Sequence, residues 1–344
     1  MRFAEVDIKS AFFDSLKRDY LEFADWFRTK GKEQAYVMQD EATLLGFMYL
    51  KLESGPVTDV EPQMPAARRL KVGTLKIDAH GSRLGQRFIK KALDHAISEG
   101  VTELYITVFP KHFTLIALLQ EFGFTQYGAK TSANGTEVVL VKSLSSLTGS
   151  PRLDYPRFRI LGNRKFILPI QPKWHTQLFP DSILASESYD VVADVAHTNS
   201  IDKCYICFMD ASEVSPGDLL VIYRTSDSRG PAEYRSVVTS ICTAEDIRFK
   251  RSFVSRDEFL EYSEKASVFD RGELLSMWDA VRQQEMVVVR MLYNAALTKR
   301  LIRKTLVEDV GVARDAYPGF LELTDQQLEA ILKLGGVDAS LVVN

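Results

Sequence analysis

The segment from Leu70 to Leu93, LKVGTLKIDAHGSRLGQRFIKKAL, constrains this chain more than any other. An apolar strand pattern runs into a short turn, His80-Gly81-Ser82-Arg83-Leu84-Gly85. A helical pattern follows at once, with Phe88, Ile89, Ala92, Leu93, Ala96 and Ile97 spaced for one face. Strand, glycine turn and helix start bring several backbone N–H groups without intrahelical acceptors to one point. The positive end of the helix dipole adds to them, so the point suits a phosphate. Arg83, Arg87, Lys90 and Lys91 add cations around the helix start. Together they suggest a phosphate-bearing cofactor and an enzyme.

The 344 residues exceed what one core usually fills, so two domains are expected. A net charge of −3 excludes a wholly basic nucleic-acid binder, though not a local basic patch. Three cysteines argue against a disulfide scaffold and for a reducing, cytoplasmic setting. The first twenty residues lack the apolar core of a signal peptide, and no apolar run is long enough to span a bilayer.

Up to Lys142 the patterns predict a mixed α/β layer fold. Its order is helix (Ala11–Thr29), hairpin (Gln34–Met38, Leu44–Leu52), strand (Leu70–Asp78), helix (Ser82–Glu99), strand (Glu103–Phe109), helix (His112–Phe122) and strand (Thr136–Lys142). Ser54–Pro65 reads as a loop with three prolines. Ser143–Pro156 is rich in Ser, Gly and Pro, and residues 146–156 are taken as a linker. Short strands then dominate, with helices expected at Arg256–Lys265, Arg271–Arg282, Leu301–Leu306 and Thr324–Leu334. A small β-barrel with surrounding helices fits this second half.

The turn and its flanks resemble the cofactor-binding motif of GNAT-type N-acetyltransferases. The order of elements up to Lys142 matches that family, as does Glu121-Phe122-Gly123-Phe124. The resemblance covers residues 1–145. It implies acetyl-CoA as co-substrate, lying against a splayed strand. Leu75 and Ile77 would offer backbone groups to the pantetheine arm, and Gly81, Ser82, Arg83, Leu84, Gly85 and Gln86 would cradle the pyrophosphate. His80 replaces a usual basic residue or Gln, and Arg83 replaces a usual glycine. The family's acid, often a Tyr four residues before the "GF" glycine, is Leu119 here. Acetyl transfer needs a proton acceptor and a proton donor. Tyr105 and His112 are therefore the candidate catalytic residues, Tyr127 is a third, and Glu53 and Asp78 flank the expected acceptor cleft. Packing and solvation are their ordinary alternatives.

In residues 157–344, Ser215-Pro216-Gly217-Asp218 leads into the apolar run Leu219–Tyr223. This resembles the PUA-like barrels, especially the ASCH group, and implies RNA or tRNA contact. Lys173, Trp174 and His175 would supply charge and a stacking ring, unless Trp174 simply packs under the barrel. Arg248, Lys250 and Arg251 form one basic cluster. Lys299, Arg300, Arg303 and Lys304 form another, expected on one helix. Cys204 and Cys207 alternate to opposite faces of a strand, which argues against joint metal ligation. No metal is expected. The resulting expectation is an N-acetyltransferase whose second domain selects the acceptor. The alternatives are a regulatory protein that senses acyl-CoA and a toxin acetylating aminoacyl-tRNA.

Overall fold

The computed structural model describes residues 1–40, 43–78, 84–180, 200–264 and 266–343. The chain divides into two compact units, Met1–Thr148 and Gly149–Asn344.

The first unit opens with α1 (Asp14–Asp19) and α2 (Phe23–Thr29). One continuous helix was expected from Ala11. Instead Ala11–Phe13 forms a 3-10 turn, and Tyr20 is extended (φ −132°, ψ 102°), which separates α1 from α2. Then come β1 (Tyr36–Asp40), β2 (Thr43–Val57), β3 (Met64–Ile77), α3 (Leu84–Ser98), β4 (Glu103–Val108), α4 (Phe113–Glu121), β5 (Thr125–Ser132) and β6 (Gly135–Ser143). The six strands form one mixed sheet in the order β1-β2-β3-β4-β6-β5. β5 was not expected, and the proline loop is shorter than expected because β2 and β3 extend into both of its ends.

Strand alternation gives the sheet two distinct faces. On one, Gly46 is so close to α3 that a Cβ would stand 2.2 Å from the Phe88 ring. Ile77 pairs with Gly46 and shares that face. On the other, Phe47 and Tyr49 lie under a cluster of rings from Phe3, Phe13, Phe27 and Trp26. The 58–63 connection folds over the far end of this second face. Glu61 and Ala129 exchange two backbone hydrogen bonds, of 2.8 and 2.9 Å. That approach needs Gly128, whose Cβ would lie 2.1 Å from the Glu61 carbonyl.

The second unit contains α5 (Pro151–Asp154), β7 (Phe158–Arg159), β8 (Lys165–Ile170), α6 (Pro172–Leu178), β9 (Asp202–Cys207) and β10 (Leu219–Arg224). It continues with α7 (Ala232–Arg235), β11 (Val237–Phe249), α8 (Arg256–Glu264), α9 (Arg271–Asp279), β12 (Val287–Ile302), α10 (Arg303–Glu308), β13 (Leu321–Glu322), α11 (Asp325–Gly335) and β14 (Val342–Val343). Six strands pair in the order β13-β8-β10-β11-β12-β9. The expected barrel is not closed: among the described residues β13 and β9, the two ends of that order, do not pair. β8, β9 and β10 are buried at every position, including the charged residues Lys165, Asp202, Lys203 and Arg224 at their ends, so none of them alternates between core and solvent.

The stretch taken as a linker carries α5 and is packed into this unit. Tyr155 is fully buried, and its hydroxyl donates to the Tyr293 carbonyl at 2.9 Å. Arg152 holds both Glu245 oxygens, at 2.5 and 2.6 Å, and Asp202 at 2.7 Å. The Pro216-Gly217 turn works through its neighbour Asp218, whose carboxylate accepts from the Arg164 and Ser215 amides. Gly217 takes a positive φ of 96° to complete it.

The Gly46 contact yields a test. Gly46→Ala forces the Phe88 ring away and should destabilise the first unit by about 1–3 kcal/mol, read by urea denaturation. Gly73→Ala, with its nearest contact 3.0 Å away on the buried Tyr49 ring, should cost less.

Candidate functional site

The site begins with an interrupted ladder. β3 and β4 run parallel but pair at only three positions, Leu70↔Leu104, Lys71↔Tyr105 and Val72↔Ile106. β3 continues to Ile77 along β2, whereas β4 continues along β6. The two strands therefore part beyond Val72 and Ile106. At about 3.3 Å per residue, the free side of β3 from Val72 to Ile77 runs about 17 Å.

Register determines what lines this gap. The β2–β3 ladder shifts at Gly73, so Tyr49 pairs with Thr74 and Leu50 with Val72. Gly73 is the extra residue of a β-bulge. Beyond it, the Asp78 amide donates to the Leu45 carbonyl on the β2 side, at 2.9 Å. Because N–H and C=O directions alternate along a strand, Lys76 and Thr74 also turn toward β2. Leu75 and Ile77 turn their N–H and C=O groups into the gap. Their side chains face α3: a Cβ on Gly85 would lie 3.8 Å from Ile77 Cδ1.

Leu84 begins α3, and Leu84 and Gly85 lie in its first turn. The Leu84 side chain is buried, leaving only its backbone for a ligand. Gly85 also has a packing role, since a Cβ there would stand 2.4 Å from Leu118 of α4. Gln86 is largely buried in the same turn. Gly81, Ser82 and Arg83, along with His80, lie outside the described residues.

On the face away from α3, the closed end of the gap carries polar groups. The Tyr105 hydroxyl donates to Glu53, and Lys51 donates to the same carboxylate at 2.8 Å. The Lys71 ammonium lies 5.3 Å over the Tyr105 ring. Burial raises the Glu53 pKa, but the hydrogen bonds from Lys51 and Tyr105 and the charge of Lys71 outweigh it, and the net shift is downward. Burial, then the bond to Glu53, pushes the Tyr105 phenol up, so it holds its proton firmly. Burial lowers the Lys71 pKa, with Glu53 and Asp59 opposing.

Two residues farther along β4, Thr107 donates to Glu137 at 3.1 Å and Tyr20 donates to the same oxygen at 2.6 Å. Glu137 is almost fully buried. Burial and the adjacent Glu137 push the Tyr20 phenol up. The α1–α2 corner is tied to the β5–β6 hairpin as well, where Asn134 donates to Glu22 at 2.9 Å. Beside it, Arg18, Asp19, Phe109, Pro110, Lys111 and Asn134 line an open cavity of about 280 Å³.

Of the two expected catalytic residues, Tyr105 is buried at the closed end. His112 stands half-exposed before α4, with Nε2 3.5 Å from Asp19. No contact joins them. Tyr127 donates to the Gln63 carbonyl, Asp78 is exposed at the end of β3, and Leu119 is buried. Sequence reading missed Tyr20 and Glu137 because they are 117 positions apart. The available signal was a lone carboxylate heading the apolar run Val138–Val141.

In the second unit the three expected contact residues diverge. Lys173 is exposed and stacked 3.9 Å over Trp174. Trp174 packs on Phe269, with centroids 4.6 Å apart, and joins the core. His175 is fully buried, and its Nε2 meets Thr239 at 2.8 Å. It therefore faces the core rather than a ligand on the surface. Burial, then the charges of Arg224 and Arg300, lowers its pKa to about 3.

The first basic cluster is engaged internally. Arg248 bonds Asp246 and Glu258, Lys250 bonds the Trp278 carbonyl, and Arg251 bonds Glu285. Lys299 and Arg300 lie on β12 rather than on a helix, and only Arg303 and Lys304 belong to α10. The three cysteines are buried thiols, none in a disulfide. Burial raises the Cys207 pKa to about 12. Among the described residues, no group of three or more His, Cys, Asp or Glu could hold a metal, and no helix is long and apolar enough to cross a membrane.

Two titrations test these environments. Tyr105→Phe removes a donor to the Glu53 carboxylate, so the Glu53 pKa should rise, read by carboxyl NMR. Since that pKa is lowered on folding, its stabilising contribution is present above the usual carboxylate range and is lost as pH falls. The variant should show a smaller loss. His175 has its pKa lowered on folding from 6.5 to about 3. Its neutral form therefore stabilises the fold fully above about pH 6.5, and that contribution falls by up to about 1.4 kcal/mol per pH unit on acidification toward pH 3. Denaturant midpoints between pH 7 and 4 should flatten in His175→Gln.

No family model and no curated protein matches this chain. Among solved structures, a mutant ZmASCH protein from Zymomonas mobilis aligns with a TM-score of 0.33 at 7% identity, over 49% of this chain and 95% of that one. The NatC complex bound to Gag peptide and CoA gives 0.30 at 16%, over 41% and 96%. Chaetomium thermophilum Naa20 in complex with a bisubstrate analogue gives 0.29 at 17%, over 36% and 72%.

Proposed function

We propose that the first unit is an acyl-CoA-dependent N-acyltransferase. The observation that carries this reading is the parting of β3 from β4 after three pairs, with the free backbone groups of Leu75 and Ile77 turned into the gap. An extended arm with amide groups can complete that half-ladder as a strand would. Helix α3 starts beyond Ile77, at the end of the gap suited to phosphates. The thioester then reaches the closed end near Val72, where a backbone N–H can polarise its carbonyl.

The acceptor amine approaches from the face away from α3. Glu53 and Glu137 are the carboxylates held there by the β4 hydroxyls of Tyr105 and Thr107, and we assign proton acceptance to them. Tyr105 keeps its proton and orients Glu53. His112, paired with Asp19, belongs to the rim. For the second unit, the sequence resemblance supports acceptor selection from RNA or aminoacyl-tRNA, and Lys173 is the exposed residue of its expected set. Nucleic acid co-purifying with the chain would support that assignment.

Leu119 favours a second reading, in which the unit binds acyl-CoA without turnover. It occupies the family's acid position as a buried apolar side chain. Calorimetry with acetyl-CoA and thiol release across amine acceptors separate the two. Binding with release supports the transferase, binding without release supports the sensor, and no binding removes both. Leu75→Pro is the sharpest variant. It deletes an N–H that the sheet does not use, so acetyl-CoA affinity should fall about tenfold, the loss expected for one hydrogen bond of ~1.4 kcal/mol. Unchanged affinity would remove Leu75 from the site.

A further inference from the structure

Lysines on the face away from α3 differ in one respect. Lys51 is bonded to Glu53, Lys130 lies 2.6 Å from Asp59, and Lys76 donates to Ser15 at 2.6 Å. Lys71 is half-buried, and among the described residues no carboxylate lies within ion-pairing distance of its nitrogen. Its contact is with the Tyr105 ring. Position distinguishes it further. Lys71 pairs with Tyr105 immediately before the β3–β4 ladder opens, so its side chain stands at the closed end of the gap. It also lies on the face from which an acceptor would approach, since it pairs with Lys51 across β2.

We propose that Lys71 is a self-acylation site, its ε-amine taking the acyl group from the thioester held at the closed end of the gap. This rests on the acyl-CoA reading above and adds a covalent event to it. The neutral amine nitrogen attacks the thioester carbonyl carbon. A C–N bond forms, the C–S bond breaks, and CoA leaves as thiolate. The proton lost from nitrogen goes to that thiolate, giving CoA thiol and an uncharged Nε-acyl-lysine. No oxidant, metal or second substrate is required. Burial of the ammonium lowers its pKa and so enlarges the reactive neutral fraction. Acylation would remove one positive charge beside Glu53 and Asp59. It would also fill the closed end of the gap with an amide, so the modified chain is expected to bind acetyl-CoA more weakly.

The test uses the full chain incubated with acetyl-CoA, followed by intact mass measurement and peptide mapping. Calorimetry on the same preparation measures acetyl-CoA binding separately. The expected result is a mass gain of one acetyl group per chain, mapped to Lys71. The gain should be absent in Lys71→Arg, which should retain acetyl-CoA binding and the wild-type melting temperature. Urea-unfolded chain should not label Lys71 in preference to other lysines. If the chain binds acetyl-CoA and Lys71 stays unmodified, or label spreads evenly over surface lysines, self-acylation is overturned and the acyl-CoA reading stands. If no binding is measured, both fall. If Lys71→Arg melts early, Lys71→Gln provides the same comparison with an uncharged side chain. Labelling of the wild-type chain at Lys71 decides the question without either variant.

Discussion

One extra residue in β3 sets the chemistry of the first unit. Gly73 interrupts the β2–β3 ladder, so Val72 and Ile77 can both face α3 although they are an odd number of residues apart. Without the bulge the alternation would run unbroken. Leu75 and Ile77 would then turn their backbone groups toward β2 and their side chains to the opposite face. The gap beside β4 would be lined by the wrong edge of the strand. The bulge therefore fixes which N–H groups are available and which side chains anchor the helix. Everything proposed for ligand placement follows from it.

α3 is held by two contacts that exclude side chains. Gly46 of β2 admits the Phe88 ring of α3, and Gly85 of α3 admits Leu118 of α4. The helix start is thus located by packing on two sides before any ligand is present. The opposite face is arranged differently. Its center is polar, with one hydrogen-bonded pair, Tyr105–Glu53, and one trio, Thr107–Glu137–Tyr20. Aromatic rings close one end, and Val57, Val60, Met64 and Tyr127 close the other. A buried carboxylate bonded by hydroxyls is a costly arrangement for a sheet to retain unless something uses it.

Some of this was legible in the sequence because it is local. The α3 face shows as a regular apolar spacing, and the Gly-Asp turn at Gly217-Asp218 marks the entry to β10. The bulge was not legible, since a glycine in an apolar run does not declare which ladder it interrupts. β12 runs to Ile302, past the start of the helix expected at Leu301–Leu306, and Ala295 and Ala296, of low strand propensity, are kept in it by pairing with β11. The break at Tyr20 was hidden by continuous helical spacing, and its partner Glu137 is too distant in sequence to suggest it. Trp174 and His175 were candidate contacts only through the resemblance to ASCH-type barrels, with packing of Trp174 as the alternative. Their burial depends on Phe269, Thr239 and the strands packed against α6, which no short window contains.

The docking of Glu61 onto Ala129 has a consequence unrelated to catalysis. β5 is the outer strand of its sheet, and such a strand offers free amides and carbonyls to other chains. Here the chain covers part of that edge with its own connection, and Gly128 leaves room for it. A shortened 58–63 connection would therefore show itself first as self-association of the protein at high concentration.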